Sequence, residues 1–319
     1  MPDRAEALTL PIFGVPVRFE SDDPGILALV EESFGSWNGL GVPATGAPLT
    51  VRLHLADGDE QGAVRPDVAV RILPDRRRMI LSTPGSVGHA DPDRGEAIGH
   101  MTRAFLADGL HARVAFIEAL TLRMMGARDR IPFHAALVGK ADAGLLFTGP
   151  SGAGKSSLAY ACARAGLRVV AEDIVWVERG SATRVWGRAE RLHLLPTAVA
   201  LFPELADAPV TIQPNGKAKI AVDLRTLGAV GTPWMDRTGV CIVARSGGPA
   251  TLEPLDPRRA VVELRAQLEP GFDLFGEEGE ATLRALAAGG CWRLDPGPRP
   301  ADALPLIEAA RAQVGSGAR

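Results

Sequence analysis

Cysteine is scarce: Cys162, Cys241 and Cys291 are all there is in 319 residues, odd in number, far apart and in no C-x-x-C spacing. A disulfide frame needs pairs and a cysteine metal site needs clustered ligands, so the three are expected as reduced core residues. An excess of basic charge is also missing. With 35 Lys and Arg against 38 Asp and Glu, the formal net charge is −3, which argues against the broad basic surface of a nonspecific nucleic-acid binder. No apolar run approaches the roughly 20 residues of a membrane span, and Met1 to Glu6 lack the basic-then-apolar order of a signal peptide. Neither nucleic acid nor a membrane is an expected partner, and the cytoplasm is the expected compartment. Internal repeats are absent as well.

What is present is an ordinary globular balance, 46% hydrophobic and 23% charged, over a length that suggests two domains. Residues 1–95 read as a small α+β unit. Leu8 to Phe19 is β-like but broken by Pro11, Gly14 and Pro16, and Asp22-Asp23-Pro24 opens a short helix through Ile26, Leu27, Val30 and Phe34. Leu49 to Leu55 alternates as a half-buried strand, and Val68–Leu73 with Met79–Thr83 reads as a strand pair. His54, His89, His100 and His111 show no ligand spacing. Residues 96–127, with Ala97, Ile98, Met101, Phe105, Leu110, Ile117 and Leu120, are expected as one long helix or two stacked ones linking the parts. From 128 to 319 the expectation is a catalytic domain in which short apolar strands alternate with helices.

The densest signal lies at residues 145–164. Leu145-Leu146-Phe147 is a short apolar run, Gly149-Pro150-Ser151-Gly152-Ala153-Gly154-Lys155-Ser156 satisfies G-x-x-x-x-G-K-[ST], and a helical pattern starts at Ser157. Phosphates carry dense negative charge and need many donors at short range. Glycines let the main chain curl with its N–H groups inward, and the following helix adds unpaired amides and the positive end of its dipole. Residues 149–157 are thus the expected nucleoside triphosphate site, with Lys155 reaching the outer phosphates and Ser156 giving an oxygen to Mg²⁺. Downstream, Leu167-Arg168-Val169-Val170-Ala171 reads as a buried strand ending in Glu172-Asp173. Acids at the end of a strand after such a helix stand where a metal ligand belongs.

His134, an apolar stretch, a glycine-containing turn at 139–144, the loop, its helix and Gly166 to Asp173 together resemble the catalytic core of HPr kinase/phosphorylase. The chain as a whole is similar to the HPr-kinase-related kinases of bacterial biosynthetic and regulatory clusters, including those that modify lasso peptides. The resemblance implies an α/β fold shared with phosphoenolpyruvate carboxykinase: a mixed, twisted sheet with flanking helices, preceded here by the small α+β unit. It implies ATP and Mg²⁺ as cofactors, and as partner a peptide or small protein bearing a serine-type hydroxyl. A homo-oligomer is a further implication. His134 matches the family histidine beside the phosphates, and Glu172 and Asp173 match its acidic pair. The family has two aspartates there, and its arginine-glycine signature has only a poor echo in Asp223 to Gly228.

Phosphoryl transfer needs charge neutralisation, an in-line acceptor and a destination for the acceptor proton. Lys155 and Mg²⁺ on Ser156 and Asp173 answer the first need. Glu172 is the leading base, with a structural carboxylate as the alternative; His134 orients that acid, contacts phosphate, or is a satisfied strand histidine. Arg188 and Arg191 offer a bidentate clamp for phosphate or read as surface arginines. Lys217 and Lys219 around Pro214-Asn215-Gly216 form either a lid or a solvated turn. A small-molecule kinase and an ATP-dependent binding switch are the rival readings.

Overall fold

The computed structural model describes residues 6–56, 66–75, 77–180, 184–213, 216–266 and 276–314. The chain divides into two compact units, Met1–Arg130 and Ile131–Arg319.

The first unit is a seven-stranded mixed sheet with helices. Strands β1 (Glu6–Ile12) and β2 (Val15–Ser21) form a hairpin whose turn, Phe13-Gly14, carries left-handed backbone at both residues (φ 50° and 74°). Helix α1 (Pro24–Phe34) starts where expected: the Asp23 carboxylate accepts from the Gly25 and Ile26 amides at 2.8 and 3.3 Å, and Pro24 occupies the first turn. Its buried face is Ile26, Val30 and Phe34, one residue per turn. Then come β3 (Leu49–Leu55), β4 (Ala69–Ile72), β5 (Met79–Ser82), β6 (Val87–Asp91) and β7 (Glu96–Met101), giving the order β1-β2-β3-β7-β6-β5-β4.

Strand β7 corrects the expectation of helix from residue 96. Glu96–Met101 pairs parallel with β3, Thr50 opposite Glu96 through Leu55 opposite Met101. Ala97, Gly99 and Met101 face inward while Ile98 and His100 are exposed, a period of two that the apolar count alone concealed. The partner face explains the glycines. A Cβ on Gly88 or Gly99 would stand 2.9 Å from the Phe116 ring. Helical structure begins only after Thr102, whose hydroxyl caps α2 (Arg103–Leu106); α3 (Gly109–Ala112) follows, then a π-helical turn at Arg113–Glu118 and α4 (Ala119–Met124). Residues 96–127 are therefore built into the first unit's sheet and its covering helices, and are not a linking helix.

In the second unit, β8 (Arg130–His134) and β9 (Ala136–Lys140) are separate strands of different sheets. The Ala135 amide between them donates to the Asp173 carbonyl at 3.0 Å, which breaks the ladder. Next come β10 (Ala143–Thr148), α5 (Lys155–Arg164), β11 (Arg168–Ala171), β12 (Ile174–Glu178), β13 (Val185–Trp186) and β14 (Arg191–Leu194). They are followed by β15 (Val210–Ile212), β16 (Ala218–Asp223), β17 (Trp234–Met235), β18 (Arg237–Val243) and β19 (Thr251–Pro254). The chain closes with α6 (Pro257–Arg265), α7 (Gly276–Ala288), β20 (Cys291–Asp295) and α8 (Leu304–Gln313).

The main sheet has the order β11-β9-β10-β18-β20-β19; β10, β18 and β20 run parallel, and β9 and β19 are antiparallel to their neighbours. Smaller sheets, β17-β13-β12-β8 and β14-β16-β15, complete the unit. Strand β10 is buried at every position because the main sheet is covered on both faces. Leu145 and Phe147 pack with Leu158, Ala159 and Cys162 of α5 and Ile307 of α8, while Leu146 packs with Ala260 and Leu264 of α6 and Leu283 and Leu286 of α7. A strand between two helical layers reads as a continuous apolar run. The three cysteines are buried and unpaired, and burial pushes the Cys162 and Cys291 thiols up to about 12. Among the described residues no helix is long and apolar enough to cross a membrane.

Candidate functional site

The loop after β10 is bent as its composition demands. Gly149, Gly152 and Gly154 have φ of 148°, 84° and 102°, values an L side chain rarely tolerates. Gly149 is further confined by the neighbouring strand: a Cβ there would lie 2.5 Å from the Val243 carbonyl oxygen. The Ala153 amide donates to the Pro150 carbonyl at 3.1 Å, closing the turn, and Gly154 precedes α5 with no side chain capping the helix. The first amides of α5 thus lack an intrahelical acceptor. The Lys155 ammonium lies back on the loop, 2.7 Å from the Gly149 carbonyl and 3.4 Å from that of Pro150.

Topology delivers the acids to the same edge. Strand β11 is antiparallel to β9 and β9 to β10, so β11 and β10 run the same way and both end at the edge where the loop begins. Ala171 is level with Leu137, and Leu137 with Leu146, so Glu172 and Asp173 emerge beside the start of the loop. Two strand spacings separate them laterally, about 10 Å. A chain of contacts spans the gap: the Thr148 hydroxyl donates to the His134 carbonyl at 3.1 Å, and the Ala135 amide to the Asp173 carbonyl at 3.0 Å. Ligands of open α/β sheets sit outside such carboxyl ends.

Each acid has its own histidine. His134 Nε2 lies 3.3 Å from Asp173 Oδ1, and the Asp173 side chain remains 69% exposed. Glu172 is held by His193 instead: its Oε1 accepts from the His193 main-chain amide and its Oε2 faces His193 Nδ1, both at 2.7 Å. The suggestion that His134 orients Glu172 is therefore corrected, since it stands at the other acid. A glutamate reaches His193 because its extra methylene carries the carboxylate toward β14. The intervening segment crosses the end of β11 at close range; a Cβ on Gly187 would meet Ala171 Cβ at 2.6 Å.

Arg188 and Arg191 flank this crossing. Arg188 donates to Glu190 at 3.0 Å, and exposed Arg191 lies opposite Asp223 on β16. Lys217 and Lys219 lie at the start of β16, whereas Pro214 and Asn215, the centre of the suggested lid, lie outside the described residues. Among the described residues no group of three or more His, Cys, Asp or Glu side chains is placed to hold a metal ion.

Sequence reasoning overlooked three residues. His193 alternates with buried Leu192 and Leu194, a pattern that marks one side-chain face without saying what it meets. Arg245 follows β18 and donates from Nε to the Ala153 carbonyl of the loop at 3.2 Å. Asp295 ends β20 beside it, accepting from the Ser246 and Gly297 amides at 2.6 and 2.8 Å. Burial would raise the Asp295 carboxyl, but the Ser246 hydroxyl, those amides and the Arg245 charge outweigh it and hold the group below its ordinary value.

No protein-family model matches the chain, and no curated protein matches it. Among solved structures, the Hpr(Ser) kinase/phosphatase from Coxiella burnetii is similar over 57% of this chain and 88% of that one, at 13% sequence identity and a TM-score of 0.28.

Proposed function

We propose that the chain is an ATP- and Mg²⁺-dependent phosphotransferase that moves a γ-phosphoryl group to the serine-type hydroxyl of a peptide or small protein. The observation that carries this reading is the glycine-bent loop at 149–156, opening onto α5 at the sheet edge where Glu172 and Asp173 also emerge. The residue set suits the groups it would hold. Positive φ at three glycines and an uncapped helix start give a concave run of amides for phosphate oxygens. A hydroxyl on Ser156 and a carboxylate on Asp173 are hard oxygen donors, the kind Mg²⁺ takes while keeping several waters.

Lys155 and the main-chain amides of 151, 152 and 154–156 would bind the phosphates, and Ser156 and Asp173 would hold the metal. Bound Mg²⁺ would supply neutralisation of phosphate charge. His134 fixes the Asp173 carboxylate from one side. Glu172 is the group to take the acceptor proton: each of its oxygens spends one lone pair on His193 and keeps another. A serine hydroxyl is a weak nucleophile at neutral pH, so a fixed carboxylate at the acceptor contributes even to a loose transition state. The acceptor class follows from the motif resemblance, and the first unit is assigned the positioning of that acceptor.

The test is label transfer from γ-labelled ATP to serine-containing peptides, run beside calorimetric ATP binding. Lys155→Met should weaken binding by about ten- to a hundredfold, the worth of a charged hydrogen bond. Asp173→Asn should keep the fold and lose Mg²⁺-dependent transfer. Unaltered ATP binding by Lys155→Met would remove the phosphate site from this loop, and full transfer by Asp173→Asn would remove the metal from this acid.

A further inference from the structure

The reading of 149–156 as a phosphate site leaves Arg245 unexplained. Strand β18 lies parallel beside β10 with Ile242 opposite Thr148, so the residues that follow β18 run alongside the loop. Arg245 uses this position to lie on the loop: Nε donates to the Ala153 carbonyl at 3.2 Å, and Nη2 is 2.8 Å from where a Cβ on Gly154 would stand. The guanidinium is therefore packed against the last residue before α5.

Electrostatically this is a poor place for a second cation. The start of α5 is the positive end of a helix dipole, and the Lys155 ammonium is on the same loop. The Asp295 carboxylate is near enough for the two charges to favour each other, yet its oxygens accept from the main-chain amides of Ser246 and Gly297 and not from Arg245. Among the described residues Arg245 makes its hydrogen bond to Ala153 and no ion pair. The residue is exposed, and four of its five N–H donors remain for another partner. Two cations thus rest on carbonyls of one loop, Lys155 on Gly149 and Pro150, Arg245 on Ala153. Two cations on one loop suit a dense anion that would neutralise both.

We infer that Arg245 is a second side-chain cation of the phosphate cradle, supplied from the end of the neighbouring strand and directed at the polyphosphate chain of the nucleotide. The inference rests on the nucleotide reading and adds a ligand to it. A planar fork engages two oxygens at once, which suits adjacent phosphates better than a single one. Gly154 belongs to the same device: its missing side chain is the space the guanidinium fills.

The test compares Mg·ATP and inorganic tripolyphosphate, which has no base, by calorimetry on the full chain. Arg245→Gln is the variant, because it retains an N–H donor for the Ala153 carbonyl and loses the charge. Affinity for both probes should fall about ten- to a hundredfold, with Arg245→Lys intermediate and the melting temperature of Arg245→Gln close to that of the wild type. Unchanged affinity for both probes would make Arg245 a brace of the loop and overturn the inference. A loss confined to ATP would place it at the base and overturn the inference equally. A wild-type chain that binds neither probe would instead defeat the nucleotide reading itself.

Discussion

Replacing Gly149 by alanine tests the loop geometry, and replacing Gly152 is its internal control. Both residues have positive φ, 148° and 84°, so each alanine carries the left-handed backbone cost of about 1–2 kcal/mol. They differ in what the new methyl meets. At Gly149 it would lie 2.5 Å from the Val243 carbonyl oxygen, a main-chain atom of β18 held in a parallel ladder on both sides, whereas at Gly152 nothing lies within 4 Å. Relief at Gly149 requires the strand and loop to part, which adds about 1–3 kcal/mol of overpacking. Gly149→Ala should therefore lose about 2–5 kcal/mol of stability and Gly152→Ala about 1–2 kcal/mol. Urea denaturation measures both. Nucleotide affinity should show the reverse contrast relative to stability, because nothing lies within 4 Å of a Gly152 methyl and the proposal assigns that open space to a phosphate oxygen. Equal stability losses for the two variants would refute the close approach of loop and β18. A Gly152→Ala chain binding ATP as the wild type does would refute the assignment of that space.

Two further predictions concern the acids. His193→Ala should lower kcat for phosphoryl transfer about tenfold or more with KM for ATP unchanged, and His193→Asn should restore most of it, because the asparagine amide nitrogen stands where Nδ1 does; equal rates for the two variants would show that holding Glu172 is irrelevant to turnover. Asp295, whose carboxyl is held below its ordinary value in the folded chain, contributes stability that is complete above the unfolded pKa of about 3.9 and is lost as pH falls through the lower folded value. Asp295→Asn should therefore be less stable than the wild type near neutrality and should lose less stability on acidification below about pH 4, as followed by thermal melts; parallel curves for the two chains would remove Asp295 from the acid response.

The parts of the chain that were legible in advance share one property: their signal is local. The cap at Asp23, the alternation from Leu49 to Leu55, the glycine-containing turn at 139–144 and the glycine-lysine loop are each fixed by residues within a few positions of one another. Strand β7 was not legible because Glu96–Met101 pairs on one side with β3, remote in sequence, and its inward Gly99 acquires meaning only under Phe116 and Leu120. The same applies to the break at Ala135, which depends on the Asp173 carbonyl.

The candidate site divides along the same line. Loop curvature, the cation at Lys155 and an acidic pair at a strand end were determined by the sequence itself, since φ preferences, charge and chain adjacency act within one segment. Tertiary structure alone decided which partner each acid received, pairing Asp173 with His134 and Glu172 with His193. It alone brought Arg245 onto the Ala153 carbonyl across 92 positions of chain. Such pairings are set by strand order and register, and register is a property of the assembled sheet that no single segment carries.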